Sequence, residues 1–211
     1  MSDERQPIFN APWPAVLLAA VILGGYAAQG FAGPEVISRF AFSPAALDAG
    51  RFETLFTALF LSGSWTHAIV NAAMALAFGT PVARAFGLRG EGVAALALFY
   101  LCCGALSSLG FALVHPGQEV LLVGASGAVS GLMAAGARII GGQGRMGPIL
   151  SPPVIGMSLA WIVVNLVVAV LGFAPGMGSA PVAWEAHLFG YAAGLVLAGP
   201  FAWLAARHIT D

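Results

Sequence analysis

Charge is what this sequence has least of. Only 8% of its 211 residues are charged, 8 Lys+Arg and 9 Asp+Glu, where a soluble domain carries about 25%. With 59% apolar residues and a mean hydropathy of +0.90, the charges are too few to cover the surface of a water-soluble globule. Lysine is absent and the net charge is −1, so no basic field exists to grip nucleic acid or anionic lipid. The only two cysteines, Cys102 and Cys103, are adjacent. They cannot staple distant segments or supply metal-ligand spacing, and they read as small core residues. Strand-like alternation is missing, which excludes a β-barrel. No internal repeat, heptad or low-complexity tract is found.

Long apolar runs are what remains. Taking charges, Pro and Gly clusters as punctuation predicts six helical segments near 13–32, 65–83, 93–114, 126–141, 154–173 and 185–206. A membrane-spanning helix needs roughly 20 apolar residues, so six use about 120 and leave no room for a separate soluble domain. The expectation is an all-α membrane protein: one polytopic domain, 1–211, built as a six-helix bundle. The first segment resembles a signal peptide, but its length favours a retained helix. The longest connection, about 33–64, mixes Phe40, Phe42, Phe52, Phe56 and Phe60 with Glu35, Arg39, Asp48, Arg51 and Glu53. That mixture predicts a segment lying in the membrane interface.

Arginine sets the orientation. The N-terminus, the 84–92 and 138–153 loops and the C-terminus hold Arg5, Arg84, Arg89, Arg138, Arg145 and Arg207, while the other side holds only Arg39 and Arg51. Both termini are therefore expected in the cytoplasm. Trp65 and Trp184 fall at outer helix ends and Trp13 and Trp203 at inner ends, as amphipathic rings do. Trp161 is mid-segment and reads as packing.

Polar groups inside membrane helices are costly and point to function. Three clusters open the even-numbered segments: His67 with Asn71, four apart on one helix face; Gly124-Ala125-Ser126-Gly127; and Glu185-Ala186-His187 followed by Gly190. Even-numbered helices all begin on the outer side, so these clusters converge. Each alone has a plain reading: small residues pack helices closely, and a lone His or Asn is interhelical hydrogen-bond glue. Together they favour a site. Gly127 and Gly131 form one small stripe and Gly190 and Gly194 another, allowing the close backbone approach that an imidazole needs to reach a serine hydroxyl.

Depth follows from Arg138. Twelve residues separate it from Ser126, about 18 Å of helix in a hydrocarbon core of roughly 30 Å, which sets Ser126 on the order of 10 Å below the outer surface. Residues 120–124 must then descend as non-helical backbone, which a bilayer tolerates only when protein buries it or it lines a wet cavity. The same arithmetic from His187 to Arg207 gives about 30 Å. His187 then sits higher than Ser126 unless its helix overruns the cytoplasmic interface or bends at Pro200.

With Gly124-Ala125-Ser126-Gly127, Ala186-His187 with Gly190 and Gly194, and His67 with Asn71, in this order and on these helices, the chain resembles the rhomboid intramembrane serine proteases over about 56–204. The resemblance implies a Ser126–His187 dyad, without a third carboxylate, that cleaves single-pass membrane proteins near the outer end of their transmembrane segment. It nominates His67, Asn71 and the Ser126 backbone N–H as oxyanion donors, and implies no metal or cofactor. Glu185 lies on roughly the opposite helical face from His187 and is not counted as a triad member. Four positions depart from the family pattern: Ser62 replaces a histidine, Ser130 an aromatic that stacks on the imidazole, Glu53-Thr54 a Trp-Arg pair, and Ala83 an acid.

Expected partners are transmembrane protein substrates and the lipid bilayer. The all-arginine, Ala/Gly-rich composition without an organellar transit peptide points to a bacterial inner membrane. Two other readings compete. One is a rhomboid-like pseudoprotease that binds transmembrane helices, normally signalled by loss of the Ser or His that this chain keeps. The other is a small transporter with Asn71, Asn165 and the glycines along its path, which lacks paired intramembrane acids and inverted repeats.

Overall fold

Proline, glycine and capping hydroxyls set the helix boundaries. A computed structural model describes residues 10–33, 35–172 and 182–206. In order these form α1 (Trp13–Gln29), α2 (Glu35–Phe40), α3 (Pro44–Asp48), α4 (Thr54–Thr57), a 3-10 turn (Ala58–Phe60), α5 (Trp65–Phe86), α6 (Gly90–Val114), α7 (Ser126–Gly141), α8 (Pro152–Leu171) and α9 (Trp184–Ala206). Prolines open α1 and α8, where a missing N–H leaves no acceptor unpaired. The Ser64 hydroxyl caps α5 by accepting from the His67 backbone N–H at 3.1 Å. Gly172, at φ +71°, ends α8. Among the described residues there is no strand, only two isolated bridges.

Four helices, α5, α6, α8 and α9, are each long and apolar enough to cross a membrane. The apolar α1 has 17 residues and α7 has 16. The shortness of α7 follows from its place at the centre, where it packs against α5, α6, α8 and α9 and buries 12 of its 16 residues. A helix enclosed by protein has no lipid to match, so Gly, Ala and Ser replace the long aliphatics of its neighbours.

Glycines set the distances around α7. A Cβ on Gly190 would lie 2.1 Å from the Gly127 carbonyl oxygen, and one on Gly194 would lie 2.3 Å from that of Gly131. Helices α7 and α9 therefore touch backbone to backbone over a full turn. Gly127 and Gly131 also face α6, where a Cβ would meet Ser107 Oγ at 2.0 Å and Cys103 Sγ at 2.6 Å. Cys103 is fully buried there as a small core residue. Gly190→Ala is expected to force the two helices apart, costing about 1–3 kcal/mol. Thermal unfolding in detergent measures that loss.

The 33–64 connection is tied to the bundle. Phe42 and Leu122 exchange backbone hydrogen bonds of 3.0 and 2.7 Å, Ala45 N–H donates to the Gln118 carbonyl at 3.0 Å, and Gly124 N–H to that of Ala58 at 2.9 Å. Non-helical backbone leading into α7 thus finds its partners in the first loop, which meets the requirement of a bilayer core. At the other end, the Gln29 side-chain amide and the Ser62 backbone pair reciprocally at 3.0 Å each way. Ser62 is buried and anchors α1 through its backbone.

Arg138 closes the opposite end of α7. Its guanidinium donates to the carbonyls of Gly147 at 2.9 Å and Leu195 at 2.8 Å, in space left by Gly199. It joins the 142–147 loop to α9 rather than only marking an interface. Arg138→Met should lower stability by about 2–3 kcal/mol, as expected for losing charge-assisted hydrogen bonds. A Tm series in one detergent checks it.

Candidate active site

Ser126 is the first residue of α7 and His187 lies in the first turn of α9. Their side chains meet: His187 Nε2 is 2.9 Å from Ser126 Oγ. This contact brings the two side chains to one level. The contacts of Gly190 with Gly127 and of Gly194 with Gly131 set the register of these parallel helices, so α9 (Trp184–Ala206) begins about 8 Å before α7 (Ser126–Gly141) and ends about 3 Å beyond it. That extra length at the start of α9 is what lets His187, in its first turn, reach Ser126 at the first residue of α7.

The pair opens into a cavity of about 380 Å³, lined also by His67 and by the apolar Phe111, Leu121 and Val168. His67 Nδ1 accepts from the Gly63 backbone N–H at 3.3 Å. A neutral imidazole with Nδ1 accepting carries its proton on Nε2, and Nε2 faces Gly124. A Cβ on Gly124 would lie 2.8 Å from that nitrogen, and the residue has φ +121°. Gly124, which precedes α7, thus lets His67 of α5 approach closely, in a backbone conformation that side chains rarely adopt.

Asn71, one turn further along α5, is buried and does not line the cavity. Among the described residues its Nδ2 has no hydrogen-bond partner. Buried donors are nearly always paired, so an orphan of this kind calls for a functional reason. As the first residue of its helix, Ser126 also has a backbone N–H without an intrahelical acceptor.

Three residues at the site escape sequence reasoning. Asn165, 2% exposed, places Oδ1 2.9 Å from His187 Nδ1. Trp161, one turn away on α8, lays its indole beside the imidazole at 5.9 Å between centroids and 36° between planes. Its expected role was packing, and the imidazole is among the groups it packs against. Ser130 is turned back along its own helix, donating to the Ser126 carbonyl at 2.7 Å. His115, at the end of α6, pairs with Glu185 at 3.2 Å on the cavity rim. The one available signal was Asn165, a lone amide in an otherwise apolar segment.

The class these features define is a polytopic helical membrane protein with a serine–histidine pair held inside its bundle. The family model described as Rhomboid domain matches residues 49–203, nearly three-quarters of the chain, and the chain belongs to the rhomboid family. Members of that family are generally intramembrane serine proteases. No curated protein matches the chain.

Proposed function

We propose that this protein is an active intramembrane serine endopeptidase, with Ser126 as nucleophile and His187 as general base and acid. The observation that carries the reading is the 2.9 Å contact between His187 Nε2 and Ser126 Oγ inside a cavity of a rhomboid domain. Both groups are at hydrogen-bonding distance before substrate arrives, as this chemistry requires.

The steps follow from the geometry. Ser126 Oγ attacks the scissile carbonyl carbon as its proton passes to His187 Nε2, and the carbonyl π electrons move onto oxygen. That oxyanion is met by the Asn71 amide, His67 Nε2–H and the Ser126 backbone N–H, with the partial positive charge of the α7 N-terminus beneath it. Collapse breaks the C–N bond, and the departing amine takes the proton from Nε2. Water then attacks the acyl-serine, again losing its proton to Nε2, and the carboxylic product leaves with Ser126 Oγ–H restored.

In this reading α1 and α7 complete six membrane segments, both termini lie in the cytoplasm, and the cavity opens towards the outer face of a bacterial inner membrane. The arginine distribution supports that orientation. Substrates are then single-pass membrane proteins cut near the outer end of their transmembrane segment. The test is reconstitution with a single-pass protein labelled at both ends. Cleavage by the wild type that vanishes in Ser126→Ala supports the reading; no cleavage of any single-pass protein across a panel, with the fold intact, overturns it.

A further inference from the structure

Helix α8 is the least enclosed of the long helices. Its only buried residues are Val154 and Asn165, while Ile155, Leu159, Val163 and Val170 face outward. An asparagine is thus half of what this helix buries. Besides Ser158 Oγ on Tyr191 OH at 3.1 Å, its polar link to α9 is Asn165 on His187. Burying an amide in a lipid-facing helix is unfavourable unless its groups are paired, and both groups of Asn165 are.

The pairing fixes the chemistry at the imidazole. Asn165 Nδ2 lies 2.8 Å from the Trp161 carbonyl oxygen, which can only accept, so the amide's NH₂ faces Trp161 and its oxygen faces His187. An amide oxygen can only accept, so His187 Nδ1 carries the proton. In neutral imidazole Nε2 is then bare, and it is Nε2 that faces Ser126 Oγ. The chain Trp161 carbonyl, Asn165 amide, His187 imidazole, Ser126 hydroxyl admits one consistent set of protons.

We propose that Asn165 is a positioning residue that holds His187 in the tautomer able to deprotonate Ser126, giving this protein a Ser–His–Asn arrangement with its third member on α8. The inference rests on the protease reading of Ser126 and His187. A neutral amide supplies orientation and tautomer choice without a carboxylate's charge. It also couples α8 to the base, because displacing α8 removes the acceptor from Nδ1.

The test uses the full chain in detergent, with ¹⁵N-labelled histidine and a cleavable transmembrane substrate. In the wild type, the His187 signals, identified by their loss in His187→Ala, should show Nδ1 protonated and Nε2 bare. Asn165→Leu, of similar volume but without an acceptor, should lose that tautomer preference. Its kcat should fall about 10- to 10²-fold, the worth of one hydrogen bond to a group that becomes charged, while KM stays nearly constant. Asn165→Asp keeps an oxygen at the same reach and should recover most of the tautomer preference and the turnover. Wild-type tautomer and kcat in folded Asn165→Leu, or Asn165→Asp as impaired as Asn165→Leu, overturns the role of Asn165. Hydrolysis that survives Ser126→Ala instead overturns the protease reading, and the tautomer measurement keeps the two failures apart.

Discussion

His187→Ala is expected to lower turnover by at least about 10⁴-fold, and Ser126→Ala by as much, because nucleophile and base act as one unit. The double variant should be no worse than either single one. Without Nε2 the Ser126 proton has nowhere to go, and without Oγ the imidazole has nothing to activate, so the second loss removes nothing further. Ser126→Ala should change stability little, by about 1 kcal/mol, since it removes one hydrogen bond to His187, whereas His187→Ala should cost more, because it also strands the buried Asn165 Oδ1 and removes the ring beside Trp161. Kinetics on a reconstituted substrate, with Tm measured on the same preparations, checks both halves. A double variant much less active than either single one would show that the residues act independently.

The second large effect is at Asn71. Asn71→Ala should reduce kcat about 10²- to 10³-fold with KM nearly unchanged, the loss typical of one oxyanion donor. Stability is expected to move the other way. Asn71 Nδ2 is buried without a partner, and a stranded donor costs about 1–3 kcal/mol. Removing it should leave Tm level or higher. Opposite movement of activity and stability separates a group held for catalysis from interhelical glue, whose removal lowers both. Full activity with a lowered Tm would return Asn71 to a packing role.

What the sequence conveys and what it hides divide along physical lines. Segment positions come from local composition, so the 126–141 expectation coincides with α7 and the 185–206 expectation differs from α9 by one residue. The segment placed at 65–83 continues to Phe86, because the charge that marked its end, Arg84, lies in the last turn of the helix instead of beyond it. Ser126, His187 and His67 stand out because a polar group is expensive in an apolar run, and the structure gathers them at one cavity. Interactions that depend on which helix lies beside which are hidden. Nothing local pairs Phe42 with Leu122, or aims Asn165 and Trp161 at an imidazole 22 and 26 residues further along the chain. The helical spacing of Trp161 and Asn165 shows that they share a face, but not that the face meets α9. Ser130 illustrates the same limit: nothing local shows that its hydroxyl turns back to the Ser126 carbonyl while an indole from α8 lies beside the imidazole.

The central claim is that Ser126 is an activated nucleophile in a membrane-embedded hydrolase. It is tested most directly by treating the purified, folded protein with a fluorophosphonate and locating the adduct by peptide mass spectrometry. The result expected is a single phosphonylated residue, Ser126, whose labelling is lost in His187→Ala and slowed in Asn165→Leu. An unlabelled wild type, or labelling that persists unchanged in Ser126→Ala, would contradict it.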